Sequence, residues 1–599
     1  MDYSGFLLLC KLLSSHPERR LPMAAYPDYH NYDLHPVTDV HGFDGAVVSG
    51  WDAVMDVLAS ELASGRRRIC FELYPGVDED ALARQIARKT GVRVFRSLQA
   101  RLSEAELLSR FSAYITDDRV FGRMYSGSLE DCFDPDILRQ LQGEIRDCPD
   151  PCIALGTGAA LLMPDADSLW HWDLTRWEIQ LRMRRGMGTW MCGIMDGQQL
   201  TKYKVGYFME WRMADRMKRS LSGRIRFRVD ADDPSLPRLI PEDAYLSALD
   251  QTARKPFRMQ AYYDPSVWGG QWMKHVFGLD PEVPNYGWSF DGVPEENALC
   301  FRFGTDTITF PAINLVHARP LPLLGEHVYG RFGAEFPIRF DFLDTMEGGN
   351  LSLQVHPMTE YIQKTFGMQY TQDESYYILD ATDESCVYLG VKPGMDLKAF
   401  EAALREAQSG ACPLDAERFV NRFPVKKHDH VLIPAGTVHC SGKNTVVLEI
   451  SATPYIFTFK LWDWGRVGLD GLPRPVHIDH GIANIQADRD TAFCEKNLLH
   501  QETVTARDAG GTVEHTGLHS LEFIETERHT LLGSRVIDVH DSVNVLNLVE
   551  GREAWIESTD GSFPPAVIHY SETFIVPAAV GQYVLKSSEN VMVLCARVR

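Results

Sequence analysis

The segment Gly348-Gly349-Asn350-Leu351-Ser352-Leu353-Gln354-Val355-His356-Pro357 restricts the fold of this chain more than any other. Gln354 and His356 are two residues apart, so a strand carries both on one face. Further on, Asp373-Glu374-Ser375-Tyr376-Tyr377 runs into the strand-like Ile378-Leu379, and in Pro434-Ala435-Gly436-Thr437-Val438-His439 a Pro-x-Gly turn opens another run. Strands that aim Gln354, His356, Glu374 and His439 inward would surround one ion. Two imidazoles and two oxygens suit a borderline divalent cation, zinc first.

The surrounding pattern agrees with a β framework. From Arg254 onward, short alternating runs and Gly/Pro turns indicate an antiparallel barrel or sandwich. One helical interruption is expected between Pro393 and Phe423, where Leu397, Phe400 and Leu404 recur at helical spacing. Strands resume after about Asp488. There Phe574-Ile575-Val576-Pro577-Ala578-Ala579-Val580-Gly581 echoes Val431-Leu432-Ile433-Pro434-Ala435-Gly436 with no His following, which implies a second barrel without metal ligands.

The N-terminal portion has a different rhythm. Residues 1 to about 40 read as an irregular leader. Trp51 to Leu62 reads as an amphipathic helix and Arg68 to Leu73 as a strand. A turn follows at Tyr74-Pro75-Gly76-Val77, then a helix that starts at Asp78-Glu79-Asp80, with acids where a helix N-terminus prefers them, and runs to about Lys89. Ile153 to Leu162 reads as a buried strand ending in a small-residue turn. Asp173 to Arg185 reads as a helix with Leu174, Trp177 and Leu181 on one stripe and a solvated or domain-contacting basic face. Strand, turn and helix in this order make an α/β unit.

At 599 residues the chain is long enough for about two to four domains. Its net charge of −22 argues against a nucleic-acid partner, because phosphate neutralisation needs clustered Lys and Arg. The 12 cysteines show no paired zinc-ribbon spacing, and Cys148 and Cys152 read as unrelated thiols, which fits a reducing cytoplasm. The apolar run Phe6-Leu7-Leu8-Leu9-Cys10 is too short to span a bilayer and lacks a charged leader, so neither membrane anchor nor signal peptide is expected.

Gly348, Gln354 and His356, followed by Pro434-x-Gly436-x-x-His439, resemble the two halves of the cupin signature with Gln in place of the usual first His. Leu351-Ser352-Leu353-Gln354-Val355-His356-Pro357 is similar to the central motif of type I mannose-6-phosphate isomerases. Supporting segments are Tyr263-Asp264-Pro265-Ser266-Val267-Trp268-Gly269-Gly270, Leu389-Gly390-Val391-Lys392-Pro393-Gly394 and Phe459-Lys460-Leu461-Trp462-Asp463-Trp464-Gly465-Arg466. The resemblance covers about residues 255–599. It implies a zinc-dependent aldose-ketose isomerase acting on a sugar phosphate, with Gln354, His356, Glu374 and His439 as ligands.

The resemblance also suggests Lys460 and Arg466 as cations toward the substrate, Arg466 alternatively pairing with Asp463 or Asp470. Glu449 matches an acidic family position and is a candidate proton relay. Ser352 shares the face of Gln354 and His356 and is a candidate for substrate contact. Three departures concern the substrate rather than the metal. Gln372 stands where the family carries Lys, Lys460 where it carries Arg, and Met358 where it carries Asp. Lys460 keeps a cation but loses the planar fork that grips two oxygens.

The expected architecture is therefore multidomain α/β plus β: an α/β domain over residues 41–250, a metal-binding cupin over 251–487 with a helical insertion at about 393–423, and a second cupin-like β domain over 488–599. The α/β domain resembles the uridine-kinase-like fold without a P-loop, because Leu73-Tyr74-Pro75-Gly76-Val77-Asp78 lacks the Gly and Lys residues that cradle phosphates. Two alternatives stand beside the isomerase: a carbohydrate-binding regulatory protein that keeps the metal, and a bifunctional sugar kinase-isomerase.

Overall fold

The structure is a computed structural model that describes residues 26–193, 199–468, 471, 474–517 and 519–599. The leader up to residue 25, with its apolar run Phe6 to Cys10, and Asp470 lie outside the described residues.

Seven strands form one sheet, in the order Val48–Ser49, Arg238–Pro241, Ile225–Asp230, Ser168–Asp173, Arg68–Leu73, Cys152–Gly156, Arg93–Arg96. The last five are parallel to one another, and the first two close one edge in antiparallel pairing. Parallel strands are covered on both faces, which is why Arg68–Leu73 and Cys152–Gly156 read as nearly unbroken apolar runs. Asp78 caps the helix Glu79–Thr90 by accepting from Ala81 N at 2.8 Å, and Gly91 ends it in the left-handed region at φ 64°.

The helix expected from Asp173 begins later, at Arg176. Asp173 is the last residue of a strand, and Thr175 provides the cap by accepting from Glu178 N. Its basic face is engaged: Arg182 and Arg185 pair with Glu178, and Arg184 grips both oxygens of Asp264 at 2.8 and 2.7 Å.

The middle of the chain forms two sheets that face each other. One has six strands, in the order His430–Ile433, Glu374–Ala381, Thr445–Ala452, Ile338–Asp344, Trp288–Phe290, Tyr262–Asp264. The other has five: Val420–Pro424, Cys386–Val391, His439–Ser441, Leu353–Val355, Phe459–Trp462. The helical interruption is Leu397–Gln408, which buries Phe400 and Leu404.

C-terminal to this sandwich, an eight-stranded sheet is organised around the long pair Ile524–Asp538 and Gln582–Val598. A short parallel pairing was not foreseen. Thr38–Asp39, from the expected leader, lies beside Ala298–Phe303, and Tyr32 stacks on Phe277 at 4.1 Å, so this described part of the leader is docked.

Apolar packing crosses the expected boundary near residue 250. One core cluster joins Ile69 and Leu155 to Leu353 and Phe459; another joins Tyr245 and Leu249 to Phe340 and Leu594. Phe121 of the α/β unit lies 4.5 Å from the His477 ring and 6.1 Å from the Phe457 ring. All described cysteines are free, Cys148 and Cys152 included. Among the described residues no helix is long and apolar enough to cross a membrane.

Candidate metal centre

Antiparallel register builds one wall of the site. Gln354 stands opposite His439 on one side and Lys460 on the other, so three neighbouring strands present His439, Gln354 and Lys460 in a row. The facing sheet contributes Glu374, the first residue of its strand, paired with Ser451. His356 lies one residue beyond Leu353–Val355. Gln354, His356, Glu374 and His439 are 6%, 1%, 1% and 0% exposed, so the site is closed to bulk water. The four residues singled out in the sequence do converge.

Hydrogen bonds set the tautomers. His356 Nδ1 lies 3.2 Å from the Phe457 carbonyl and His439 Nδ1 lies 2.8 Å from the Thr437 carbonyl. A carbonyl only accepts, so each Nδ1 carries the proton and each Nε2 is left as a lone pair. Both lone pairs face the same carboxylate: His439 Nε2 is 2.7 Å from Glu374 Oε1, and His356 Nε2 is 3.1 Å from Glu374 Oε2. His356 Nε2 and Glu374 Oε1 are buried without a hydrogen-bond partner. A cation among them would satisfy every one of these atoms.

The donor set fits such an ion. Atoms of His356, Glu374 and His439 lie within 4.8 Å of one another. The Gln354 amide is 3.2 Å from His439 Nε2, and half a turn of that amide exchanges its nitrogen for its oxygen.

Behind Glu374 lies a buried network of which the sequence reading singled out Gln372 and Glu449 but not Arg339 or Asp341. Gln372 donates to Glu374 Oε2 at 2.9 Å and to Glu449 Oε1 at 3.2 Å. Arg339 bonds Glu449 and lies 2.5 Å from Asp341, with its guanidinium 5.0 Å from the Tyr455 ring. Burial, then the neighbouring Glu374 charge, pushes the Glu449 carboxyl up to about 7. The available signal was Ile338-Arg339-Phe340-Asp341-Phe342, a strand alternating aromatic residues with charges.

The remaining candidates separate. Lys460 sits in the ligand row, and burial together with the Arg474 charge pushes its ammonium down to about 7. Arg466 pairs with Asp463, Nη2 to Oδ1 at 2.5 Å, and Arg474 takes the other oxygen at 2.6 Å. Ser352 is buried beside Gln354, and no hydrogen bond joins its hydroxyl to a described residue.

The C-terminal sheet also brings together His515, Glu525 and Glu527. The Arg597 guanidinium already holds that position, 2.8 Å from Glu525 and 3.0 Å from Glu527. This group is an ion-pair network.

In the α/β unit, the chain leaves the neighbouring strands Arg68–Leu73 and Cys152–Gly156 in opposite directions along the sheet. The crevice at such strand ends is where open α/β sheets take ligands. Here it is filled from within. Glu72 accepts from Gly158 N at 2.7 Å and from Ala160 N at 2.8 Å, occupying backbone donors of the kind an anion would use.

Comparison with known proteins gives two separate findings. A family model described as a domain of unknown function, DUF8485, matches residues 50–254. Mannose-6-phosphate isomerase ManA of Bacillus subtilis (strain 168) is 24% identical over 262 residues, covering 43% of this chain and 75% of that protein. The putative mannose-6-phosphate isomerase YvyI of the same organism is 20% identical over 348 residues, covering 57% and 98%. The crystal structure of the mannose 6-phosphate isomerase from Bacillus subtilis aligns with a TM-score of 0.47 at 18% identity, covering 57% of this chain and all of that one.

Proposed function

We propose that the protein is a metal-dependent aldose-ketose isomerase that interconverts mannose 6-phosphate and fructose 6-phosphate. The observation that carries this reading is the convergence of Gln354, His356, Glu374 and His439, with both imidazole lone pairs turned onto one carboxylate. Curated relatives named as mannose-6-phosphate isomerases support it.

Zinc is the metal this donor set suits best, one ion per chain. When bound, it supplies a Lewis acid that stabilises negative charge developing on the sugar's hydroxyl and carbonyl oxygens. The chain's residues do the rest. Gln354, His356, Glu374 and His439 fix the position at which those oxygens are held. The reaction moves a proton from the carbon beside the carbonyl to the adjacent carbon through an enediol. Glu449, reached from Glu374 through Gln372, is assigned that transfer. Lys460, in the ligand row, is assigned the substrate oxyanion, and Ser352 a hydrogen bond to a sugar hydroxyl. Arg466 holds the Phe459–Trp462 segment in place through Asp463.

The same reading divides the chain into an α/β domain over 41–250, a metal-binding cupin barrel over 251–487 and a metal-free cupin-like barrel over 488–599. The free thiols support a cytoplasmic location. The test is metal analysis combined with a fructose 6-phosphate interconversion assay on the wild type and His439→Ala. Metal and activity are expected to be lost together. Metal loss with undiminished turnover would contradict the assignment.

A further inference from the structure

A cavity of ≈ 200 Å³ lies between the α/β unit and the sandwich, with Arg176, Arg212, Arg216 and Arg219 on one wall and Thr453 and Tyr455 on the other. Three of the arginines come from one helix. Gln199–Val205 passes through a π-helical turn at Gly206–Glu210 into Trp211–Ser220, and residues 212, 216 and 219 fall on one face of the last segment. π turns inside helices recur at functional sites because they re-aim the side chains around them. Like charges at this spacing repel and destabilise a bare helix.

Two of these guanidiniums, those of Arg212 and Arg216, are held by backbone carbonyls. Arg216 donates to the Gly127 and Tyr125 carbonyls at 2.9 and 2.8 Å, which fixes its direction and leaves its charge intact. Arg212 donates to the Tyr207 carbonyl at 3.2 Å. Arg219 bonds no described residue and is exposed. Arg176, 9% exposed, has its guanidinium carbon over the Trp211 ring 3.7 Å from the centroid, comes no closer than 4.0 Å to Asp215, and has a buried Nη1 without a partner among the described residues.

Nearby carboxylates are mostly committed elsewhere. Asp215 accepts from Tyr74 at 3.0 Å and faces Lys218 at 3.6 Å. Glu296 accepts from Tyr203, Tyr455 and Gln180. Burial pushes the Glu295 carboxyl up to about 8, so it is largely uncharged at neutral pH. Glu335 is the remaining acid on the lining.

We propose that this cavity binds the phosphate group of a small phosphorylated molecule, with Arg212, Arg216, Arg219 and Nη1 of Arg176 as its donors. A phosphate dianion offers several oxygens to planar guanidinium forks, and the volume leaves room for a small organic body attached to it. Its owner is either the sugar-phosphate substrate or a second phosphorylated ligand. Tyr455 ties the cavity to the metal centre, because its ring packs on Arg339, which bonds Glu449.

The binding test does not depend on the isomerase reading. Full-length protein is titrated calorimetrically with orthophosphate at low ionic strength, alongside Arg212→Gln, Arg219→Gln and the surface control Arg139→Gln. Saturable binding is expected in the wild type and the control, with about tenfold weaker binding in each cavity variant. Arg219 is exposed and unpaired, so Arg219→Gln keeps its fold and reports on the cavity. Absence of wild-type binding, or cavity variants that bind orthophosphate as tightly as the wild type, overturns the proposal. Sugar-phosphate kinetics then identify the owner, a clause that rests on the proposed activity. A raised KM in Arg219→Gln with unchanged kcat and metal content assigns the phosphate to the substrate. Weakened orthophosphate binding with an unchanged KM assigns it to a second ligand. A wild type that binds orthophosphate but does not turn over sugar phosphate removes the isomerase reading and leaves the site.

Discussion

Glu374 and His439 meet across the gap between the two sheets with 2.7 Å between Oε1 and Nε2, and the Thr437 carbonyl keeps the imidazole proton on the far side of the ring. A lone pair against a carboxylate is repulsive until a cation lies between them. Zinc added to chelated protein is therefore expected to raise the melting temperature, a gain of about 4 kcal/mol when free metal exceeds Kd about a thousandfold. His439→Ala should show little of this shift. Identical melting curves with chelator and with zinc in the wild type would show that the four residues hold no ion.

Among the described residues Arg339 is the cation that pairs with both Asp341 and Glu449, and it is 5% exposed. Replacing it by Met leaves two buried carboxylates facing each other. Removing one partner of a buried pair costs about 3 to 5 kcal/mol. Arg339→Met should lose that much in denaturant unfolding. A loss below about 1 kcal/mol would mean that the carboxylates are already protonated and need no counter-charge.

His430 is buried, and this, helped by the Arg528 charge, pushes its imidazole down to about 3. The fold keeps it neutral where the unfolded chain protonates below an ordinary value near 6.5. Its contribution to stability is therefore complete above about pH 6.5 and is lost as the pH falls from there toward 3, at about 1.4 kcal/mol per pH unit. In His430→Gln the stability difference between about pH 7 and about pH 5 should shrink by about 2 kcal/mol. Urea midpoints at the two pH values measure this, and an unchanged difference would place the titration elsewhere.

The four candidate ligands were legible because each is marked by local chemistry: the two-residue spacing of Gln354 and His356, the Pro434-x-Gly436 turn before His439, and the run after Glu374. Arg339 and Asp341 were not. A strand that alternates Phe with charges ordinarily turns the charges to water, whereas here that face looks into the sandwich and meets Glu449. The docking of Thr38–Asp39 beside Phe301 spans too much sequence, and is too short, to leave a pattern. Contacts such as Phe121 on His477 depend on how two units pack, which no local period encodes. The late start of the helix at Arg176 came from an apolar stripe extended backward into a strand.

Lys460 stands directly opposite Gln354, and its ammonium has no hydrogen-bond partner among the described residues. A half-buried amine beside that row, pushed down to about 7 and without a fixed partner, is placed to meet charge that arises during the reaction. Lys460→Met should lower kcat by about a hundredfold to a thousandfold with metal content unchanged. Lys460→Arg should recover part of the loss, since it restores the charge in a different shape. A Met variant within about twofold of wild type would remove Lys460 from the chemistry.

The α/β unit is expected to ignore nucleotides, and the reason is local. Phosphate binding at strand ends requires free backbone N–H groups at a helix start. Those of Gly158 and Ala160 are bonded to Glu72, and Ala81 N is bonded to Asp78. An incoming triphosphate would have to displace the side chains of Glu72 and Asp78 from these donors. ATP with magnesium should leave the melting temperature of the full-length protein unchanged. Asp78→Ala should lower stability by about 1 kcal/mol without creating nucleotide affinity, because the cap is lost while Glu72 stays in the crevice. A clear ATP-dependent shift in the wild type would revive the bifunctional kinase-isomerase reading and would mean that Glu72 moves aside.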